Sequence, residues 1–118
     1  MFLADFPFDA AFVQPHLFEI MRGVQHTLDK DGYELIMKKA TAKEANTIVE
    51  NAYGQHQADG FVLHMSVVTQ KLATLLSKEL IPHIVIGKPG FTTRMCWIDT
   101  DNTLSGEIAA THLLEKRL

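Results

Sequence analysis

The sequence has little of what a disulfide-stabilised or membrane-inserted chain needs. Its 118 residues include one cysteine, Cys96, which has no partner for an intramolecular disulfide and mildly favours a reducing compartment. No apolar run approaches the ~18 residues that would cross a bilayer. The apolar N-terminus is interrupted by Asp5 and Asp9 and lacks the basic segment that opens a signal peptide. These observations predict that this stretch holds no membrane span and no signal peptide, and no membrane partner is expected.

Clustered positive charge is also scarce. Eleven Lys and Arg residues stand against 14 Asp and Glu, for a formal net charge of −3. The longest basic runs are the pairs Lys38-Lys39 and Lys116-Arg117. Because binding to a polyanion depends on clustered Lys and Arg, this segment is not expected to bind DNA or RNA by itself. With 47% hydrophobic residues, it has the composition of one globular domain over residues 1–118.

Motifs for catalysis, metals and cofactors are missing. The Gly87-Lys88 pair lacks the upstream glycine and the following Ser or Thr of a phosphate-binding loop, and no Gly-x-Gly-x-x-Gly exists. The six histidines show no His-x-x-x-His or His-x-His spacing that would favour zinc. Asp99 and Asp101 have no third acidic ligand nearby in sequence, and Asp101 has a sufficient role as a helix cap. We therefore predict no enzyme, no metal and no cofactor.

Apolar periodicity predicts short strands that alternate with helices. The predicted strands are Phe2–Phe6, Tyr33–Lys38, Gly60–His64, His83–Ile86 and Arg94–Ile98. Helices are expected to begin at Pro15, at the capping box Thr41-Ala-Lys-Glu44, at Ser66 or Thr69, and at Asp101 or Asn102. Alternation at the spacing of βαβ units predicts an α/β protein with a parallel sheet.

Each predicted helix carries a stripe of apolar or small residues that should face the core. Gly32 supplies a left-handed stop after the first helix. Cys96, within the fifth strand, is expected to be buried. The stripe of the first helix is Leu17, Ile20, Met21, Val24 and Leu28, and that of the second is Ala45, Ile48, Val49 and Ala52. The third helix carries Leu72, Leu75, Leu76 and Leu80. The fourth carries the small residues Gly106, Ala109 and Ala110 with Leu113, which would allow the helix to approach the sheet closely.

Polar residues follow the fourth and fifth predicted strands, at Gly87–Gly90 and Asp99–Asn102. Ligands of open α/β sheets bind where strands end, so these two tips are the expected ligand edge. Lys88 is either a donor to ligand hydroxyls or a solvated lysine on a turn. His64, at the end of the third strand, is a better functional candidate than His112, which reads as a core or dimer-face histidine.

Several segments in order resemble the effector-binding part of the lac/gal repressor family of bacterial transcription regulators. They are Pro15–Val24, Asp31-Gly-Tyr-Glu-Leu35, Ala58-Asp-Gly-Phe-Val62, Ile81–Pro89, Ile98-Asp-Thr-Asp-Asn102, Gly106 and Ala109–Leu114. The resemblance implies a three-layer α/β/α architecture around an open parallel sheet of flavodoxin-like strand order 2-1-3-4-5. This is the architecture of one lobe of a periplasmic-binding-protein-like fold. Gly87-Lys88-Pro89 before Asp-x-Asp-Asn is similar to the maltose-type members, which points to an α-glucoside.

The resemblance also implies what this segment does. It corresponds to the N-terminal lobe, with the DNA-binding headpiece and the second lobe expected outside it. A sugar effector would bind between the lobes of a cytoplasmic homodimer and alter its affinity for operator DNA. By position, the implied effector contacts are His16, Leu17, His64, Lys88, Asp101 and Asn102, although His16 and Leu17 replace the family's common aromatic pair.

Two other function classes stay open. A periplasmic solute-binding protein shares this fold and would carry a secretory or lipoprotein signal upstream. An enzyme of flavodoxin-like or hydrolase fold would need a nucleophile elbow or an acid–base pair, and the sequence shows neither.

Overall fold

The computed structural model describes residues 1–5, 15–91, 95–99 and 102–116, without the side chains of residues 15, 16, 102 and 103. The strands found there are β1 (Phe2–Ala4), β2 (Met37–Lys39), β3 (Phe61–His64), β4 (His83–Ile86) and β5 (Trp97–Ile98). The helices are α1 (Pro15–Lys30), α2 (Ala42–Gly54), α3 (Gln70–Lys78) and α4 (Asn102–Lys116), with a 3₁₀ turn at Met65–Val67. Apart from β4, the described strands are shorter than predicted.

The five strands form one sheet in the order β2-β1-β3-β4-β5, and every neighbouring pair is parallel. This confirms the predicted α/β class, the parallel sheet and the strand order. His64 at the end of β3 is in register with Ile86 at the end of β4, and Ile86 is in register with Ile98. All five carboxyl ends therefore meet at one edge of the sheet, which we call the carboxyl edge.

The core lies on both faces of the sheet because successive strand residues point to opposite sides. Leu3, Leu63 and Val85 pack with α2 and α3 on one face. Phe2 and Ala4 pack with α1 on the other. The buried members of the predicted stripes are Leu17, Met21, Ala45, Val49, Ala52, Leu72 and Leu76. Helical spacing thus identified the faces of α1, α2 and α3.

Local signals set the helix ends. The Thr41 hydroxyl accepts the Glu44 amide at 3.3 Å and donates to the Glu44 carboxylate at 3.0 Å, so the carboxylate reaches the cap hydroxyl. Thr69, one of the two predicted caps, accepts the Leu72 amide at 3.1 Å and starts α3. Gly32 has φ +79° after α1, which confirms the predicted left-handed stop.

Three expectations about packing were wrong. Leu80 is 83% exposed, because α3 ends at Lys78 and a φ of 51° at Leu80 turns the chain away from the helical stripe. Cys96 is exposed and lies just before β5, which begins at Trp97, whereas its neighbour Met95 is the buried residue of this segment. The described side chains of α4, from Leu104 to Lys116, are all exposed. Apolar residues surround α4 instead of forming one stripe, so the small-residue side does not define a single packing face.

Candidate functional site

The ends of β1 and β3 are joined by one serine hydroxyl. The backbone N–H of Asp5, just after β1, donates to Ser66 Oγ at 3.1 Å. Ser66 Oγ in turn lies 2.8 Å from His64 Nδ1, at the end of β3. The backbone N–H of Ser66 also donates to His64 Nδ1, at 3.1 Å. The turn after β3 therefore fixes His64 at the carboxyl edge.

These bonds determine the tautomer of His64. Because Nδ1 accepts the Ser66 backbone N–H, the proton of the neutral ring resides on Nε2. The ring is half-buried, and this burial lowers the pKa of His64 because desolvation disfavours the imidazolium. His64 therefore favours its neutral form, with Nε2–H as its donor.

The turn after β4 approaches the turn after β3 closely. Gly87 has φ +107°, and a Cβ built there would stand 2.7 Å from Met65 Sδ and 3.1 Å from Met65 Cβ. The Gly87 N–H donates to the Ile98 carbonyl at 2.7 Å, which continues the β4–β5 pairing to the carboxyl edge. A glycine is thus needed where the two turns meet.

Lys88 follows this glycine and turns toward the neighbouring strand. Its Nζ lies 5.9 Å from the centroid of the Trp97 ring on β5, within the range of a cation–π contact. Both side chains are exposed, Trp97 by 41%. A cation and an accessible aromatic ring therefore stand together at the carboxyl edge.

Two of the six predicted effector contacts lie at the carboxyl edge: His64 is the last residue of β3, and Lys88 follows the adjacent strand β4 by two residues. Leu17 on α1 is 4% exposed and belongs to the core cluster that contains Phe2 and Ala4 of β1. Its contact with a ligand stays a prediction. The side chains of His16 and Asn102, and the whole of Asp101, lie outside the described residues. Asn102 begins α4, where the helix was predicted to start.

Sequence reasoning missed the partners of these two side chains. Ser66 was predicted to follow the third strand over the cleft or to cap α3, but not to bond His64, although a serine two residues after a strand-end histidine is close enough to do so. Trp97 was treated as an ordinary strand residue. The parallel pairing of β4 with β5 puts Trp97 opposite Val85, three residues before Lys88. Met65 carries no sequence signal of its own.

Two large cavities lie elsewhere. One, of about 810 Å³, is lined by α3 residues with Pro82, His83, Phe91 and Met95. Another, of about 750 Å³, includes Gly60, Pro82 and His83. Both reach the amino end of β4, opposite the carboxyl edge, so neither is the predicted ligand cleft.

Within the described residues, no group of three or more His, Cys, Asp or Glu side chains is arranged to hold a metal ion. None of the helices described there is long and apolar enough to span a bilayer.

Comparison with known proteins gives one informative relative. The chain is 24% identical over 103 residues to the HTH-type transcriptional regulator MalR of Staphylococcus xylosus. The aligned part covers 86% of this chain and 31% of that regulator, so the chain spans about a third of its relative. No protein-family model and no solved structure matches the chain. The comparison supports a relation to transcriptional regulators.

Proposed function

We propose that this chain is the N-terminal lobe of the effector-binding domain of a bacterial transcription regulator of the lac/gal repressor family. It binds a small sugar or sugar-like ligand and does not turn it over. The observation that carries the proposal is the position of two polar side chains at the carboxyl edge, His64 as the last residue of β3 and Lys88 two residues after β4, in a chain similar to a regulator. Parallel α/β sheets bind ligands at this edge.

The chemistry of the edge suits a polyol. The Lys88 ammonium supplies a cationic donor that can bond the lone pairs of hydroxyl groups, and the His64 imidazole lies at the same edge. Trp97 adds an apolar ring surface beside them. A second lobe would complete the cleft at this edge. The predicted contacts at Leu17 and, outside the described side chains, at His16, Asp101 and Asn102 belong to this proposal.

The sugar would act by linkage. A ligand that binds one state of a two-lobed homodimer more tightly shifts the population toward that state. If the dimer carries DNA-binding headpieces in cytoplasm, the same shift changes the affinity for operator DNA. The sugar class is an α-glucoside, following the resemblance of Gly87-Lys88-Pro89 to the maltose-type members.

The test uses the full-length protein that contains this segment. We expect maltose, as the α-glucoside probe, to raise the Tm, because a ligand of the native state stabilises it. Lactose, which is β-linked, should raise it less. Lys88→Ala should remove most of the maltose shift, whereas Lys78→Ala, on the exposed side of α3, should leave it intact.

A gel-shift titration of operator DNA with and without maltose tests the regulatory half of the proposal. Unchanged DNA affinity, together with a secretory signal upstream of this segment, would favour the alternative, a periplasmic-type sugar-binding protein. Turnover of a glycoside that is abolished by Lys88→Ala would contradict both binding functions.

A further inference from the structure

Met65 is an exposed methionine at the carboxyl edge. It follows His64 directly, is the first residue of the 3₁₀ turn after β3, and is 49% exposed. Met21 and Met95 are 4% and 7% exposed within the core, so solvent is kept from their side chains. Among the described methionines, Met37 on β2 is exposed to a similar extent, 45%. Because oxidation of a thioether depends on access to its sulfur, a peroxide in solvent reaches Met65 and Met37 before the buried pair.

The sulfur of Met65 packs on the turn that carries Lys88. A Cβ built on Gly87 would stand 2.7 Å from Met65 Sδ and 3.1 Å from Met65 Cγ, so the thioether lies directly against the Gly87 backbone. The next residue is Lys88, whose Nζ lies 5.9 Å from the centroid of the Trp97 ring. Met65 therefore supports the turn that positions this cation at the carboxyl edge.

The backbone around Met65 is held on both sides. The Ser66 N–H donates to His64 Nδ1 at 3.1 Å, and the Val68 N–H donates to the Met65 carbonyl at 3.2 Å. Ser66 Oγ also accepts the Asp5 N–H at 3.1 Å, which joins this turn to the end of β1. A chemical change at the sulfur therefore acts on the Met65 side chain and on its contact with the facing turn, and not on the backbone of the turn after β3.

We propose that Met65 is an oxidation site for small hydroperoxides, and that its sulfoxide releases the turn at Gly87 and moves Lys88 out of the sugar site. The thioether sulfur attacks one peroxide oxygen, so that an S–O bond forms and the O–O bond breaks. The sulfur is oxidised and the peroxide is reduced. With hydrogen peroxide, the proton of the attacked oxygen passes to the departing hydroxide, which leaves as water. The sulfoxide is polar, so the modified side chain leaves its apolar contact with Gly87 for solvent.

Loss of this contact links oxidation to the sugar site. Lys88 is the cationic donor of that site, so its displacement lowers the affinity for sugar. The effect on sugar rests on the proposed function, whereas the effect on the position of Lys88 does not. Methionine sulfoxide is reduced back to the thioether by dedicated reductases, so the modification is reversible.

The test treats the full-length protein with hydrogen peroxide and locates the added oxygen by peptide mass spectrometry. The parent protein and all variants carry Cys96→Ser, because the exposed thiol would otherwise be oxidised as well. We expect peroxide to remove most of the maltose-induced rise in Tm from the parent and from Met37→Leu. Met65→Leu keeps an apolar side chain of similar size without the sulfur, and it should keep the rise after the same treatment. Met65→Gln, which is polar and of similar length, should lack most of the rise without peroxide.

Trp97 emission gives a measurement that does not involve sugar. Taken as the difference from a matched Trp97→Phe protein, the emission should shift on oxidation of the parent, since Lys88 leaves the ring, and should stay unchanged in Met65→Leu. Oxidation of Met37 without oxidation of Met65, or an equal loss of the maltose response in Met65→Leu, overturns the inference. An unoxidised protein that does not respond to maltose contradicts the proposed sugar binding, and the emission result then decides this inference by itself.

Discussion

The Lys88 ammonium nitrogen lies 5.9 Å from the centroid of the Trp97 ring, which joins the turn after β4 to the edge strand β5. The two strands are parallel neighbours with Val85 opposite Trp97, so Lys88, three residues after Val85, can reach the ring. Trp97 is 41% exposed, which makes this a partly solvated cation–π contact. Such contacts contribute about 0.5–1 kcal/mol. The contact holds the Lys88 cation above β5.

Lys88→Met tests this contact because it removes the cation and keeps the aliphatic stem. We expect the free energy of unfolding to fall by about 0.5–1 kcal/mol. Trp97 is the single tryptophan of the chain, so its emission spectrum reports on the contact directly and should shift. Lys78→Met on α3 is the control and should alter neither quantity. An unchanged emission spectrum in Lys88→Met would show that the contact does not form in solution.

Gly87→Ala should be destabilising by about 1–3 kcal/mol, measured by urea unfolding. The added methyl would enter the space of Met65 at a positive φ, and both effects oppose it. Gly90→Ala is the matched control, since a Cβ there meets nothing within 4 Å, and its effect should stay below about 0.5 kcal/mol. Equal stabilities of the two variants would mean that the turns after β3 and β4 do not meet as described.

The fold was predictable because its signals are local and repeated. A helical stripe such as that of Leu72 and Leu76 is identified correctly even when the predicted helix ends are misplaced. The alternation of strands with helices leaves few possible topologies. Leu80 shows the limit of this reasoning. Its spacing continues the stripe of α3, but the helix ends earlier, and only the backbone angle at Leu80 reveals that.

The site was less predictable because its contacts join residues that are distant in sequence. His64 and Lys88 were predicted from their positions at strand ends, and the structure places both at the carboxyl edge. The hydrogen bond from the Asp5 N–H to Ser66 Oγ joins residues 61 positions apart, and no local sequence pattern near either residue predicts it. The packing face of α4 was mispredicted for a different reason, although the helix begins where it was predicted to begin. Its apolar residues surround the helix, so periodicity alone cannot choose the side that packs.

His64 predicts a pH dependence of stability. Burial lowers its pKa in the folded chain below the ordinary value of about 6.5, so the unfolded chain binds the proton more readily. The stabilisation is complete above about pH 6.5 and is lost as the pH falls from there toward the folded pKa. Protonation of Nδ1 would also remove the acceptor of the Ser66 N–H. Urea unfolding at pH 7.5 and pH 5.0 should therefore show lower stability at the acid end.

The control is His64→Asn, whose amide oxygen can accept the Ser66 N–H and does not titrate in this range. The other ionisable groups stay the same in both proteins, so the difference between the two pH profiles isolates His64. We expect the variant to lose less stability on acidification than the wild type. Parallel profiles would mean that the fold does not depress the pKa of His64.

Leu76 and Leu80 occupy equivalent places in the predicted stripe of α3, and the structure separates them. Leu76 is 1% exposed within the core, and Leu80 is 83% exposed. Leu76→Ala should lower the free energy of unfolding by about 2–5 kcal/mol, through lost burial and a cavity. Leu80→Ala should change it by less than about 0.5 kcal/mol. Thermal unfolding of both variants measures the difference, and a comparable loss at Leu80 would show that α3 continues past Lys78 in solution.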